Sequence, residues 1–426
     1  MTNTLRQITE SIAGFDSESL RVEIAQRAIA QFIKPINQSE RVPLKQALGR
    51  TLASDITAPI NVPSYDNSAM DGYAFRSADL TQGEVILKII GKAFAGHPFQ
   101  QQVHTGECVR IMTGAVIPRG CDTVIPQELV ATTSAHAISI SASVIKPGSN
   151  LRHAGEDIGV GAVVLHKGRL LTPSDLGVIA SLGIAEVSVQ RKLRVAFFST
   201  GDELRSIGQP LDEGAVYDSN RYTLQAMLER AGFEAIDLGV VGDDPVALEK
   251  ALREACRQAD TVITTGGVSA GDADHTRDLM ARLGDILFWK IAMRPGRPMA
   301  FGEMNVDGKN TLFFGLPGNP VAVMATFYFF ARDALFHLQG TTPERLAIIR
   351  AISSEVIKKR PGRTEYQRAV MMVDPHGVPH VRLTGAQGSG ILSSMSEANC
   401  MVVLAHDRSE VAAGQEVDAI PFQGLL

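Results

Sequence analysis

The segment Thr264-Thr265-Gly266-Gly267-Val268-Ser269-Ala270-Gly271-Asp272-Ala273-Asp274-His275 combines bare backbone with carboxylates. It follows the apolar run Thr261-Val262-Ile263, which reads as a buried strand. Paired glycines at a strand end let a phosphate approach the main chain without meeting a Cβ. Acids beside such amides suit a phosphorylated ligand with a divalent cation between the charges.

Other segments offer related chemistry. Ser199-Thr200-Gly201-Asp202-Glu203-Leu204 puts two carboxylates at a strand end, either for a cation or as a solvated turn. In Gly242-Asp243-Asp244-Pro245, Asp244 is explained as a helix N-cap, which leaves Asp243 as the functional candidate. Leu316-Pro317-Gly318-Asn319-Pro320 reads as an N-cap followed by a first-turn proline, and the helix start it opens can bind an anion. Trp289 to Pro298 places Lys290, Arg294 and Arg297 within eight residues around a Pro-Gly pair. Arginine forks suit tetrahedral oxyanions. Pro63 to Ala74, Arg360-Pro361-Gly362-Arg363 and Gly385 to Gly390 are ambiguous alone: an Asp/Asn turn, a cationic turn and a glycine loop.

The elements that must position these loops can be read from periodicity. Residues 191–338 alternate strands with helices. Strands are expected at Val195–Thr200, Ile236–Val241, Thr261–Thr264, Leu287–Trp289 and Thr311–Phe314. Helices are expected from Ser219/Asn220 to near Gly232, from Asp244-Pro245, after Asp274, and from Pro320 to about His337. Short loops between them predict a doubly wound, mostly parallel sheet, whose ligands sit at the strand carboxyl ends. Residues 17–34 read as one helix stopped by Pro35, and residues 44–52 as a short helical piece. Residues 63–150 form short β runs between Gly and Pro turns, and residues 174–182 a helix closed by Gly183. Residues 345–426 read as a small β domain, with strands at Gln367–Val373, Met401–Leu404 and Glu416–Ile420.

Composition bounds the rest. The 426 residues favour about three domains. A net charge of −5 argues against a nucleic-acid partner held by bulk electrostatics. No apolar h-region follows Arg6, which argues against a secretory signal, and no apolar run approaches membrane-spanning length, so no membrane is expected. Cys108, Cys121, Cys256 and Cys400 are scattered, as reduced structural thiols of a cytoplasmic protein would be.

Together these segments resemble the MoeA-type molybdopterin molybdenumtransferases, a family that includes the E domains of gephyrin and of plant Cnx. The matching stretches are residues 63–74, Arg110–Ala115, Gly155-Glu156-Asp157, Ser199–Leu204, Thr264–His275, Trp289–Pro298, Leu316–Pro320 and Gly385–Ser389, in order over nearly the whole chain. The resemblance implies an elongated α/β multidomain protein with smaller β-rich domains. It has an N-terminal helix over residues 1–35 packed on the larger domains and a discontinuous linking domain from 36–62 and 151–190. A β-rich domain spans 63–150, a molybdopterin-binding α/β domain 191–338, and a C-terminal β domain 339–426.

The implied reaction inserts molybdate into adenylylated molybdopterin and releases AMP, with Mg²⁺ assisting. The resemblance implies that Glu203, Asp243 and Asp274 serve catalysis and hold Mg²⁺. It places Lys290, Arg294, Arg368 and Ser389 around the anion. It further implies that Asp71 and Thr113 are catalytic residues brought in by a second subunit of a homodimer. Gly266, Gly267, Ser269, Asp272, Pro317, Gly318 and Asn319 would complete the substrate site. Contact with the adenylyltransferase that supplies the nucleotide is a further implied partnership. Many relatives carry Lys where this chain has Arg294 and Arg297; charge is kept, but oxyanion selectivity is expected to differ. Two rivals are a MogA-type adenylyltransferase, which would need only residues 191–338, and a non-catalytic molybdopterin-binding scaffold.

Overall fold

The computed structural model describes residues 4–268, 279–342 and 345–422. The chain separates into two compact units. One comprises residues 1–40, 49–51 and 190–426; the other comprises residues 41–48 and 52–189.

The first unit is built on a sheet of β1 (Arg194–Thr200), β2 (Glu234–Val241), β3 (Thr261–Thr265), β4 (Gly284–Lys290), β5 (Pro298–Val306) and β6 (Lys309–Leu316), in the order β2-β1-β3-β6-β5-β4. Strands β2, β1, β3 and β6 are mutually parallel, whereas β5 pairs antiparallel with both β6 and β4. The sheet is therefore mixed. Strand β5 was not anticipated, because its Gly302, Glu303 and Asn305 interrupt the apolar run.

Alternate residues of the strands enter two cores, as the two-residue side-chain period requires. Val195, Phe197, Ile263 and Phe314 meet α1 (Leu5–Ser11), α2 (Val22–Phe32), α3 (Asn220–Arg230) and α5 (Pro320–Leu338). Ala196, Phe198, Val262 and Phe313 meet α4 (Pro245–Gln258) on the other face. The Asp244 carboxylate caps α4 by accepting the Ala247 N–H at 2.8 Å.

Several local expectations need correction. The N-terminal region holds two helices; α2 starts at Val22, because residues 17–21 lie in an edge connection where the Leu20 N–H donates to the Lys290 carbonyl. Only Leu44–Gln46 is helical in the 44–52 stretch, as a single 3-10 turn. Helix α5, which includes a π turn at Phe327–Ala331, has 19 residues apolar enough to cross a membrane by composition, contrary to the reading that no run approached that length. It is 83% buried over that window and serves as the core helix of this unit.

The same unit ends in strands β7 (Ile349–Ser353), β8 (Thr364–Val373), β9 (Pro379–Leu383), β10 (Cys400–Leu404) and β11 (Glu416–Pro421). The pairing runs β8-β9-β7-β11-β10 and returns to β8, closing a barrel around Ala369, Val381, Val402 and Val417. Met293 and Arg294 pair parallel with Thr364 and Glu365 of β8, which ties the cationic loop of the sheet domain to this barrel.

In the second unit, strands at 123–126, 72–75, 107–111, 84–93, 137–141 and 131–134 form a sheet in that order, with apolar clusters on both faces. A separate core joins Val42, Leu52 and Ile56 to Leu165, Ile179 and Val189.

Candidate functional site

A cleft of about 780 Å³ opens at the carboxyl ends of β1, β3 and β6. Glu203, Gly266, Gly267, Arg294, Pro317, Gly318, Asn319 and Ser389 all line it, so loops far apart in sequence converge as the sheet topology requires. Arg297, Arg363, Tyr217 and Asn220 line it as well.

Gly266 adopts φ +87°, and a Cβ there would lie 2.5 Å from the Thr200 carbonyl oxygen, so the turn after β3 demands glycine. Its N–H, however, donates to the Leu316 carbonyl at 3.1 Å. The expectation that both glycine amides face a phosphate is thereby corrected. Gly266 closes the strand end, and Gly267 is the one whose N–H has no acceptor among the described residues.

At the neighbouring end of β1, Gly201 has φ +147°, and a Cβ on it would sit 2.5 Å from Glu203 Oε2. The glycine lets the exposed Glu203 carboxylate fold back over the strand terminus. Asp202 instead accepts the Asp243 N–H at 3.1 Å, joining the ends of β1 and β2. Asp243 is exposed and is not among the residues lining the cleft. Ser269, Asp272 and Asp274 fall outside the described residues. Among the described residues no group of three metal-ligating side chains forms.

The cations divide differently from the sequence expectation. Lys290 is paired with the Glu18 carboxylate and does not line the cleft. It serves the N-terminal connection. Arg294, Arg297 and Arg363 line the cleft, are exposed, and have no carboxylate partner among the described residues. Three guanidinium groups around one cavity, unpaired among the described residues, suit an anion, because each fork can offer paired hydrogen bonds. Arg363 was visible in sequence only as part of a cationic turn.

Arg368 is 1% exposed and does not line the cleft. Its Nε donates to Ser394 Oγ at 3.0 Å, and its guanidinium also reaches the carbonyls of Gly388 at 2.9 Å, Gln387 at 3.3 Å and Ala386 at 3.4 Å. Burial, and then the like charge of Arg294, push this guanidinium down to about 10, which leaves it protonated at neutral pH. Its expected place at the anion is corrected to that of a positioning residue: it holds the loop that carries Ser389. Ser389 is anchored a second way, its carbonyl accepting the Val321 N–H at 3.0 Å at the start of α5. Asn319 occupies the N-cap position of α5 in extended backbone but makes no side-chain cap hydrogen bond.

Asp71 and Thr113 lie in the second unit and bind each other. The Thr113 N–H and hydroxyl both donate to Asp71 Oδ1 at 2.7 Å, and these bonds, the backbone one foremost, hold the carboxyl below its usual range.

The sequence matches three families along its length: the MoeA N-terminal region (domain I and II) over residues 20–183, a probable molybdopterin binding domain over 196–337, and the MoeA C-terminal region (domain IV) over 350–422. It is 45% identical over 390 residues to the molybdopterin molybdenumtransferase of Haemophilus influenzae, covering 91% of this chain and 95% of that one. It is 35% identical over 400 residues to the Staphylococcus aureus molybdopterin molybdenumtransferase, covering 90% and 93%. The solved structure of the Pyrococcus horikoshii molybdopterin biosynthesis moeA protein superposes with a TM-score of 0.81 at 31% identity, covering 95% of this chain and 100% of that one. The chain belongs to the MoeA family.

Proposed function

We propose, for this member of the MoeA family, that the chain is a molybdenumtransferase that inserts molybdenum from molybdate into adenylylated molybdopterin and releases AMP. The observation that carries the reading is that Arg294, Arg297 and Arg363, without a carboxylate partner among the described residues, line the same cleft as Gly266 and Gly267. Molybdate is a tetrahedral dianion, and three guanidinium forks can bind it while screening its charge from a phosphate lying nearby. Gly267 offers its N–H to the substrate phosphate, and Ser389 offers a hydroxyl beside the anion. Glu203 orients donors of the substrate or accepts a proton at the strand end.

Mg²⁺ would assist the reaction. Glu203 and Asp243 would supply two carboxylates, and when bound the ion would neutralise the phosphoanhydride. In this reading the protein works in the cytoplasm as a homodimer. Asp71 and Thr113 of the partner subunit complete the cleft, and contact with an adenylyltransferase delivers the nucleotide-bearing substrate.

The test is turnover by purified protein given adenylylated molybdopterin, Mg²⁺ and molybdate. AMP release that requires molybdate is expected. Consumption of ATP with bare molybdopterin would select adenylyl transfer instead, and no turnover of either kind would select a scaffold. Omitting Mg²⁺ with a chelator present tests the cation.

A further inference from the structure

One continuous segment of the cleft lining contains neither cations nor glycines. It is the segment Tyr217-Asp218-Ser219-Asn220, which follows a small flap. Leu204 and Arg205 pair parallel with Val216 and Tyr217 to form the flap, and Arg205 pairs with Asp212 at 3.1 Å across it. Tyr217 is 47% exposed and lines the cleft, yet its hydroxyl donates to the Gln209 carbonyl at 2.9 Å. The ring is therefore pinned at its polar end, with an aromatic surface left uncovered beside the cavity.

Asn220 supplies an independent observation. Its Nδ2 donates to the Gly318 carbonyl at 2.7 Å, which fixes the amide so that Oδ1 must be the acceptor. That oxygen is buried and has no hydrogen-bond partner. A buried acceptor without a donor is unfavourable, so the wall is complete only when a donor meets it. The nearby Asp218 does not offer the same vacancy, because Arg221 lies 3.5 Å from its Oδ2 as an ion-pair partner.

We propose that Tyr217 and Asn220 form the heterocycle subsite of this cleft. Tyr217 stacks on the face of a fused-ring heteroaromatic, and Asn220 Oδ1 accepts from its exocyclic amine. The inference rests on the transferase reading for its ligand class. Adenine and the pterin ring share this chemistry, a planar π face with an edge amine, and the arms of the experiment tell them apart.

The experiment is calorimetric titration of the full-length protein with AMP and with 6-hydroxymethylpterin. Each is compared with its amine-free partner, purine riboside 5′-monophosphate and 6-hydroxymethyl-lumazine. Wild type is expected to bind at least one amine-bearing probe more tightly than its partner, and the probe bound identifies the ring. Tyr217→Ala should weaken that binding about tenfold, in the range found for base–aromatic stacking, whereas Tyr217→Phe should stay within about threefold. Asn220→Ala should erase the preference for the amine. Unchanged melting temperatures confirm that the variants fold. No binding of either probe to wild type, equal affinity for amine-bearing and amine-free rings, or unchanged binding in Tyr217→Ala each overturns the proposal. Molybdate-dependent AMP release by wild type, measured in parallel, reports separately on the transferase reading.

Discussion

Arg368 donates to the carbonyl of Gly388 at 2.9 Å, one residue before Ser389, which lines the cleft. A cation with no access to the cavity thus sets the position of a hydroxyl that has it. The arrangement extends outward: Arg368 lies on β8, the strand with which Arg294 and Met293 pair, so the loop of Ser389 and the loop of Arg294 share one support.

Replacing Arg368 with alanine would strand the carbonyls of Ala386, Gln387 and Gly388 at once. Ala386 is exposed and Gln387 and Gly388 are half-buried, so water can reach the freed carbonyls. A hydrogen bond to a charged group contributes about 1.5–3 kcal/mol, and a loss of about 2–3 kcal/mol from the unfolding transition of the barrel is expected. Urea melts followed by circular dichroism measure it. Unchanged stability with weakened molybdate binding would instead return Arg368 to the anion.

Gly266→Ala should be worse than Gly267→Ala. At Gly266 the added Cβ meets a backbone oxygen at 2.5 Å, whereas at Gly267 it meets the Thr200 hydroxyl at 3.1 Å, which can yield. Both sites have positive φ, so both pay backbone strain of about 1–3 kcal/mol. Thermal melting should rank them in that order, and AMP affinity should fall in both.

Lys290 and Arg294 stand four residues apart and should behave oppositely. Lys290→Gln loses the ion pair with Glu18, so molybdate affinity should change little. Arg294→Ala removes a charged donor, worth about 1.5–3 kcal/mol, so affinity should drop about 10- to 100-fold. Equilibrium dialysis with molybdate measures both, and an equal loss in the two variants would contradict the division of cations described above.

Arg294→Lys and Arg297→Lys should retain turnover while shifting the competition of tungstate and sulfate against molybdate. A point charge selects oxyanions less by geometry than a planar fork does. Identical competition profiles in wild type and both variants would remove the idea.

The Asp71 carboxyl is held low by the Thr113 N–H and then by the Thr113 hydroxyl. A depressed folded value means that the contribution to stability is present above the unfolded carboxyl value, about 4, and is lost as pH falls through the folded one. Thr113→Val deletes one of the two donors, so the Asp71 titration should move up toward the ordinary value. Carbon-13 NMR of the carboxyl carbon follows it, and an unmoved midpoint would show the hydroxyl to be idle.

Much of this was legible without coordinates. Asp244-Pro245, Pro320 and Gly183 mark helix ends through local backbone chemistry, and the runs 195–200, 261–264 and 311–314 mark strands by their apolar character. Convergence of Glu203, Gly266 and Asn319 followed from the rule that loops of such a sheet gather at the strand ends. Strand β5 was not legible, because polar residues interrupt it and only its pairing with β6 and β4 stabilises it as a strand.

The duties of the cations also lay beyond the sequence. Lys290, Arg294, Arg363 and Arg368 are alike as charges; Glu18, 272 positions away from Lys290, claims the first, and burial against three carbonyls claims the last. Local chemistry determined where the chain turns and which side chains carry charge. Which charges remain free to meet a ligand depends on partners distant in sequence, and only the packed chain brings those within hydrogen-bonding range.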